Sequence, residues 1–281
     1  MGQALEARPC SGVIFTDLDN TLVGPGGEAG EAGEVYLEAL DLGYRVVPVT
    51  SKSIYEIVEL WDSIGVPPGE RIALAESGGA IYGPRGSLAR PTGFNSEVGL
   101  EYTALGKPLA SIDALLDSLA ETCGAVRLSK ADATEAQLIT GLPRERAALA
   151  ARREYLEVIW SRSQECLDTI LSTALRYREL TYVHRAPRTV QIAAHRGKGM
   201  AIDAALQEPL LRPCAKVVVT AGDSSHDIPI IERGMLAFRV DYNRDWSRLV
   251  KPIYMVIPYE APKAWTMLIE TVKTRSNTPS L

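Results

Sequence analysis

Paired cysteines, basic clusters and long apolar runs are all missing from this chain of 281 residues, and each absence closes off a class of protein. Its four cysteines, Cys10, Cys123, Cys166 and Cys214, lie far apart with no Cys-x-x-Cys pair. That spacing argues against the usual close-set zinc ligands and against a dense disulfide framework, and leaves buried, inert thiols as the expected state. Basic residues do not outnumber acidic ones: 30 Lys and Arg stand against 35 Asp and Glu, for a net charge of -5. Phosphate backbones are held by clustered cations, so no nucleic-acid partner is expected, although a few local cations can still hold one small anion. No stretch approaches the roughly 20 apolar residues that span a bilayer. The opening MGQALEARPCSG has no apolar signal core. The chain therefore reads as cytoplasmic, without membrane association. Asn and Gln are scarce, as they are in proteins of thermophiles.

What is present is an alternation of short β-rich runs with helical spacing. SGVIFT (11–16), YRVVPVT (44–50), KVVVT (216–220) and 236–240 read as strands. Segments 31–42, 54–64, 198–206 and 228–233 carry apolar residues at helical intervals, with Gly43 and Gly65 at the stops and Ser51 or Ser53 as a cap. This rhythm implies a parallel α/β sheet. It is interrupted after about Phe94. Helices are expected there over 108–119, 134–139 (with a Thr134-x-x-Gln137 start), 144–153 and 166–175, and strands over 178–183 and 189–193 around Pro187. The economical organisation is a Rossmann-like α/β core built from 1–93 and 195–281, with a second α+β domain inserted over 94–194 and a frayed tail after Thr274.

Four short features fall at the carboxyl ends of expected strands, where open α/β sheets place their ligands. In Asp17-Leu18-Asp19-Asn20-Thr21, an extended backbone sets Asp17 and Asp19 on one side. Such close carboxylates need a cation between them or a shared proton. One of them can attack phosphorus while the other handles the leaving group's proton. A calcium loop is the rival reading of this stretch, but Leu22 stands where its sharp turn wants Gly. Thr50-Ser51 is either an N-cap or an anion site at a helix start. Lys198 opposes the dipole at its own helix start and so asks for a nearby anion. Asp223 and Asp227, four apart in Gly222-Asp223-Ser224-Ser225-His226-Asp227, suit Mg2+, which takes a few carboxylates and keeps its waters.

In this order, DxDxT, Thr/Ser, a helix-start Lys and GDxxxD resemble the haloacid dehalogenase-like (HAD) phosphatases. The resemblance implies Asp17 as nucleophile, Asp19 as general acid and base, and Thr50, Ser51 and Lys198 as phosphate ligands. It implies Mg2+ held by Asp17, the main-chain carbonyl of Asp19, and Asp223, with Asp227 close by. The inserted domain is similar to the type IIB cap of the sugar-phosphatase branch. Within it, ATEAQLITGLPRERAALAARREYLEVIW (133–160), with Arg153-Glu154-Tyr155-Leu156-Glu157, resembles the mannosyl-3-phosphoglycerate phosphatase family, as do the SKS after Thr50 and the AESGGAIYGPRG hairpin.

That family cleaves a small phosphorylated sugar-glycerate to mannosylglycerate, a compatible solute. The candidate cap contacts to such a substrate are Arg153, Glu157 and Arg188, since an Arg fork matches a carboxylate. The alternative for the Arg/Glu-rich helix is a solvated face with i,i+4 pairs. The chain departs from the family's pattern at Asn20, at Ser77 within Glu76-Ser77-Gly78, at Ala-Pro-Arg-Thr around Arg188, and at His226, where Asn is usual. A glucosyl-3-phosphoglycerate or sucrose-phosphate type of phosphatase, a phosphomannomutase and a non-catalytic phospholigand-binding protein remain as alternatives.

Overall fold

The computed structural model describes residues 10–24, 29–240, 255–257, 261 and 263–276. The first nine residues, on which the targeting expectation rests, and the tail from 277 onward lie outside them; residues 275 and 276, expected to fray, continue the last helix.

The chain opens with β1 (Gly12–Thr16), α1 (Glu31–Asp41), β2 (Tyr44–Pro48) and α2 (Ile54–Ile64). A run of short strands follows: β3 (Ala73–Ala75), β4 (Ala80–Gly83), β5 (Gly93–Asn95) and β6 (Leu100–Ala104). The inserted segment holds α3 (Asp113–Glu121), β7 (Val126–Arg127), α4 (Ala133–Thr140), α5 (Arg144–Ala151), β8 (Leu156–Trp160), α6 (Gln164–Ala174), β9 (Tyr182–Ala186) and β10 (Thr189–Ala193). The chain then returns through α7 (Gly197–Ala205), β11 (Val218–Gly222), α8 (Ile228–Ile231), β12 (Leu236–Val240), β13 (Met255–Ile257) and α9 (Lys263–Ser276).

Five strands form the core sheet in the order β13-β12-β11-β1-β2, all parallel. Because side chains alternate along a strand, β1 feeds two apolar layers. Ile14, with Val46 and Val219, packs under Tyr36, Trp61 and Trp265 of α1, α2 and α9. Val13 and Phe15 join Val47, Val218 and the α7 residue Ile202 on the other face. A second sheet, β3-β4-β6-β5, is antiparallel and is attached where Val49 bridges Leu74.

The inserted domain is a third sheet, β7-β8-β10-β9, also antiparallel. Ile159, Val190 and Ile192 pack beneath α3 and α6, while Val158 on the opposite face meets Ala136 and Ala147 of α4 and α5. The α/β core with an α+β cap is therefore as the sequence indicated. The segment 94–104, grouped with the insert on texture, instead forms β5 and β6 and pairs to β4. The chain crosses into the cap after β6 and returns beside the same point, where Lys107 bridges Ala194.

Two local expectations are corrected and one open alternative is settled. Ser53, not Ser51, caps α2: its side chain accepts from the Glu56 amide, and Glu56 returns the bond to the Ser53 amide. The cap of α4 is Asp132 with Glu135, two residues earlier than the expected Thr134. The cysteines are not inert thiols but two disulfides. Cys10 joins Cys214 across a separation of 204 residues, and Cys123 joins Cys166 across 43. Their Cα atoms stand 5.2 and 5.7 Å apart, within the range a disulfide needs. Neither pairing is visible in the spacing, because only the fold brings α3 onto α6 and the start of β1 onto the loop before β11.

Thiol titration of the denatured, unreduced protein is expected to find no free cysteine. Reduction should release four thiols and lower stability by about 2–4 kcal/mol for each bridge lost. Free thiols before reduction would contradict the pairing.

Candidate active site

β1, β2 and β11 run parallel, so their carboxyl ends share one edge of the sheet. Asp17 follows β1 directly, and its amide donates to the Ala221 carbonyl of β11 at 3.0 Å. The next turn needs a left-handed residue at position 20, where Asn20 has φ 58°; Asn tolerates that region better than most residues. Thr50 leaves the end of β2, and its hydroxyl accepts from the Lys52 amide at 3.3 Å. With capping assigned to Ser53, Thr50 and Ser51 stand ahead of the helix. At the end of β11, a Cβ on Gly222 would lie 2.4 Å from the Asp227 Cβ, so glycine is required for Asp227 to fold back over the strand end.

These elements bring Asp17, Asp223 and Asp227 together, with one carboxylate oxygen from each lying within 4.8 Å of the others. All three are buried. Lys198, buried in the first turn of α7, donates to Asp17 Oδ1 at 2.9 Å and to Asp227 Oδ1 at 2.7 Å. Thr21 donates to Asp223 Oδ1 at 3.4 Å, and the Ser224 hydroxyl donates to Asp227 Oδ2 at 2.8 Å.

Burial pushes the Asp17 carboxyl well above the ordinary range; the Asp227 charge adds to this, and Lys198 only partly offsets it. Burial, reinforced by Asp227, likewise pushes Asp223 up to about 7. Burial also opposes ionisation of Asp227, but the Lys198 ammonium beside it outweighs that and holds it low. Burial opposes the charge on Lys198 too, and its two carboxylate partners raise it regardless.

Three carboxylates against one ammonium leave an excess of two negative charges in a buried cluster. Hard oxygen donors with that excess match a divalent cation such as Mg2+. The donor set fits.

Asp19 is placed differently from its neighbour. Its side chain is 48% exposed, stands outside the three-carboxylate cluster and pairs with Lys52 Nζ at 3.0 Å. Lys52 also reaches Glu56 at 3.6 Å. Of the cap candidates, Arg153 is buried at the seam and donates to the Ser51 carbonyl at 3.1 Å. Arg188 is exposed at the β9–β10 turn. Glu157 is fully buried inside the cap, where it accepts from Arg127 Nε at 2.8 Å and from the Ser129 hydroxyl, on the side that packs α3. That ion pair leaves Glu157 no face toward the cleft.

Lys52 reaches the site through Asp19, and Glu76 braces the neighbouring turn, although no role was assigned to either from sequence. Lys52 lies in the SKS that follows Thr50. Glu76, in a turn with φ 52°, accepts from the Tyr155 and Leu156 amides at 2.7 Å each and from the Glu154 amide at 3.1 Å, tying the core hairpin to the base of β8. Its only trace in the sequence was its place in the AESGGAIYGPRG hairpin, and a buried carboxylate serving backbone amides has no spacing signature.

No family model matches the chain. It is 28% identical over 159 residues to mannosyl-3-phosphoglycerate phosphatase from Pyrococcus horikoshii, a match covering 57% of this chain and 64% of that protein. The match thus spans less than two thirds of the relative's length. Among solved structures, a haloacid dehalogenase-like hydrolase from Bacteroides thetaiotaomicron superposes with a TM-score of 0.68 at 15% identity, covering 93% of this chain and 99% of the other. A HAD subclass IIB sugar phosphatase superposes with a TM-score of 0.62 at 13% identity, over 94% of this chain and 99% of the other. The fold is that of the haloacid dehalogenase-like hydrolases.

The raised Asp223 would make binding of a divalent cation at this cluster pH-dependent. A carboxyl raised in the folded state stabilises the ion-free fold below the ordinary carboxylate range, and that contribution is lost as pH rises through about 7. A divalent cation selects the ionised form. The Tm increase on adding Mg2+ is therefore expected to be larger at pH 8 than at pH 5, as read by thermal denaturation. Equal increases at the two pH values would contradict it.

Proposed function

We propose that the chain is a Mg2+-dependent phosphatase that removes phosphate from a small sugar phosphomonoester through a phospho-aspartate on Asp17, with 2-O-mannosyl-3-phosphoglycerate as the substrate. The observation that carries this reading is the convergence of Asp17, Lys198, Asp223 and Asp227 at one sheet edge.

Asp17 is oriented for attack because Lys198 holds one of its oxygens and leaves the other for phosphorus. Burial strips that carboxylate of water, which keeps it a stronger nucleophile once ionised. The new bond joins an Asp17 oxygen to phosphorus as the bond from phosphorus to the sugar-bearing alcohol breaks. Asp19 supplies the proton that this alcohol requires; its half-exposed position lets it turn between Lys52 and the leaving group. In the second half, Asp19 takes a proton from water as the water oxygen attacks phosphorus. Inorganic phosphate leaves and the Asp17 carboxylate is restored. Thr50, Ser51 and Lys198 hold the phosphoryl oxygens, with Lys198 offsetting their charge.

Mg2+, held by Asp17, Asp223 and the main-chain carbonyl of Asp19 with Asp227 behind them, would neutralise charge on the phosphoryl group. The choice of substrate rests on the similarity to the Pyrococcus horikoshii phosphatase, which is named for that ester. Cap residues Arg153 and Arg188 are the proposed cationic partners of its carboxylate. A cytoplasmic location and a role in making a compatible solute complete the proposal.

Purified protein with Mg2+ should release free phosphate from mannosyl-3-phosphoglycerate, and EDTA should stop it. Asp17→Asn should lower kcat by at least about 1000-fold, and Asp19→Asn should slow both half-reactions. Substantial turnover by Asp17→Asn would remove the nucleophile assignment. Release from other sugar phosphates but not from this one would remove the substrate. Isomerised sugar phosphate without free phosphate would indicate a mutase.

A further inference from the structure

The chain has only three histidines, and the fold gathers all of them around Tyr182. Tyr182 and His184, two apart on β9, share one face of the cap sheet, with Gln191 of β10 in register opposite His184. The other face, carrying Val183, Val190 and Ile192, is covered by α3 and α6. The Tyr182 and His184 face is therefore the one turned to the core. His226 waits there, in the loop between Asp223 and Asp227. The Tyr182 hydroxyl hydrogen-bonds to His226 Nε2 and lies 3.4 Å from Ser77 Oγ of the core hairpin. The His184 ring stacks on His226 with centroids 4.0 Å apart and planes 21° from parallel. His195, at the return crossing into α7, has its ring centroid 5.1 Å from that of Tyr182.

We infer that Tyr182, His184 and His226 form a clasp that seats the cap on the loop carrying Asp223 and Asp227, with Tyr182 and His184 acting as positioning residues for substrates large enough to reach the cap. The inference rests on the phosphatase reading only for its kinetic arm. The two crossings between core and cap run side by side at Lys107 and Ala194, where the Lys107 amide donates to the Ala194 carbonyl at 3.1 Å. Such a joint fixes the cap along one edge, which leaves the rest of its seat to the Glu76 tie at the base of β8 and to contacts farther out. On the α5 side those contacts are charged: Arg146 to Glu59, Arg152 to Glu97, and Arg153 to the Ser51 carbonyl. On the β9 side they are rings and hydroxyls. Offset rings and a hydroxyl give the contact a specific geometry without placing a further ion pair beside the buried carboxylates and Lys198.

Two variants on opposite sides of the seam form a cycle: Tyr182→Phe, His226→Gln and the double variant, each assayed on the sugar ester and on p-nitrophenyl phosphate, whose small leaving group does not reach the cap. Each single change is expected to lower kcat/KM for the sugar ester by about 10- to 100-fold. The double variant should lose little more than either alone, because a shared contact is lost only once. For Tyr182→Phe, p-nitrophenyl phosphate hydrolysis should stay within about twofold of the parent. Independently of any turnover, small-angle scattering of Tyr182→Ala/His184→Ala should show a larger radius of gyration than the parent. Additive losses, or equal losses on both esters, overturn the clasp, and so does a scattering curve superimposable on the parent's. A parent that hydrolyses neither ester overturns the phosphatase reading, and the scattering comparison then decides the clasp alone.

Discussion

One buried ammonium governs the architecture of the site. Lys198 sits between Asp17 and Asp227, and an ion taken from water at that depth is tolerated only when it is paired and hydrogen-bonded. It donates from the first turn of α7, against the helix dipole, so its carboxylate partners are what make that position acceptable. Sharing one ammonium couples the end of β1 to the loop after β11. The parallel sheet order makes this affordable: β1 and β11 are neighbours, so residues 17 and 223–227 need no long excursion to meet.

The same charge accounting ranks the three carboxylates of the cluster. One ammonium cannot balance three carboxylates, and burial, reinforced by the Asp227 charge, raises both Asp17 and Asp223. Asp227, with the closer contact to Lys198 and two donations from Ser224, takes most of the available stabilisation. The two groups left over are the ones best placed to share a divalent ion in the proposed site.

The legible part of the molecule was the part with local cause. Asp17, Lys198, Asp223 and Asp227 each follow a strand end or open a helix, and those positions are written in apolar runs and helix starts. The parallel core followed from the same alternation. Features whose cause is a contact between distant segments were silent. Cys10 meets Cys214, and Glu76 meets the amides of 154–156, only because the sheets have already formed. Glu157 was misplaced for a related reason. In a sequence, an acidic residue in an Arg/Glu-rich stretch looks available, whereas register on β8 turns it into the cap interior and onto Arg127. Strands β5 and β6 are short and half-exposed, with weak alternation, so texture assigned them to the wrong domain.

Asp19 shows how the fold separates two carboxylates that the sequence sets side by side. Asp17 is locked by Lys198 in a dry cluster, which suits a group that must meet phosphorus in one orientation. Asp19 is tied to Lys52 at a half-exposed position. Ion pairs open to water contribute only about 0–1 kcal/mol, so such a tie costs little to break. Lys52 is itself retained by Glu56, the residue that completes the α2 capping box, and so remains in place when Asp19 turns away. A proton carrier must visit two positions, and a weak tether to an anchored cation gives it a defined resting place without a deep well. In the proposed mechanism, burial thus divides the pair of aspartates into a fixed nucleophile and a movable acid, from a motif in which they stand two residues apart.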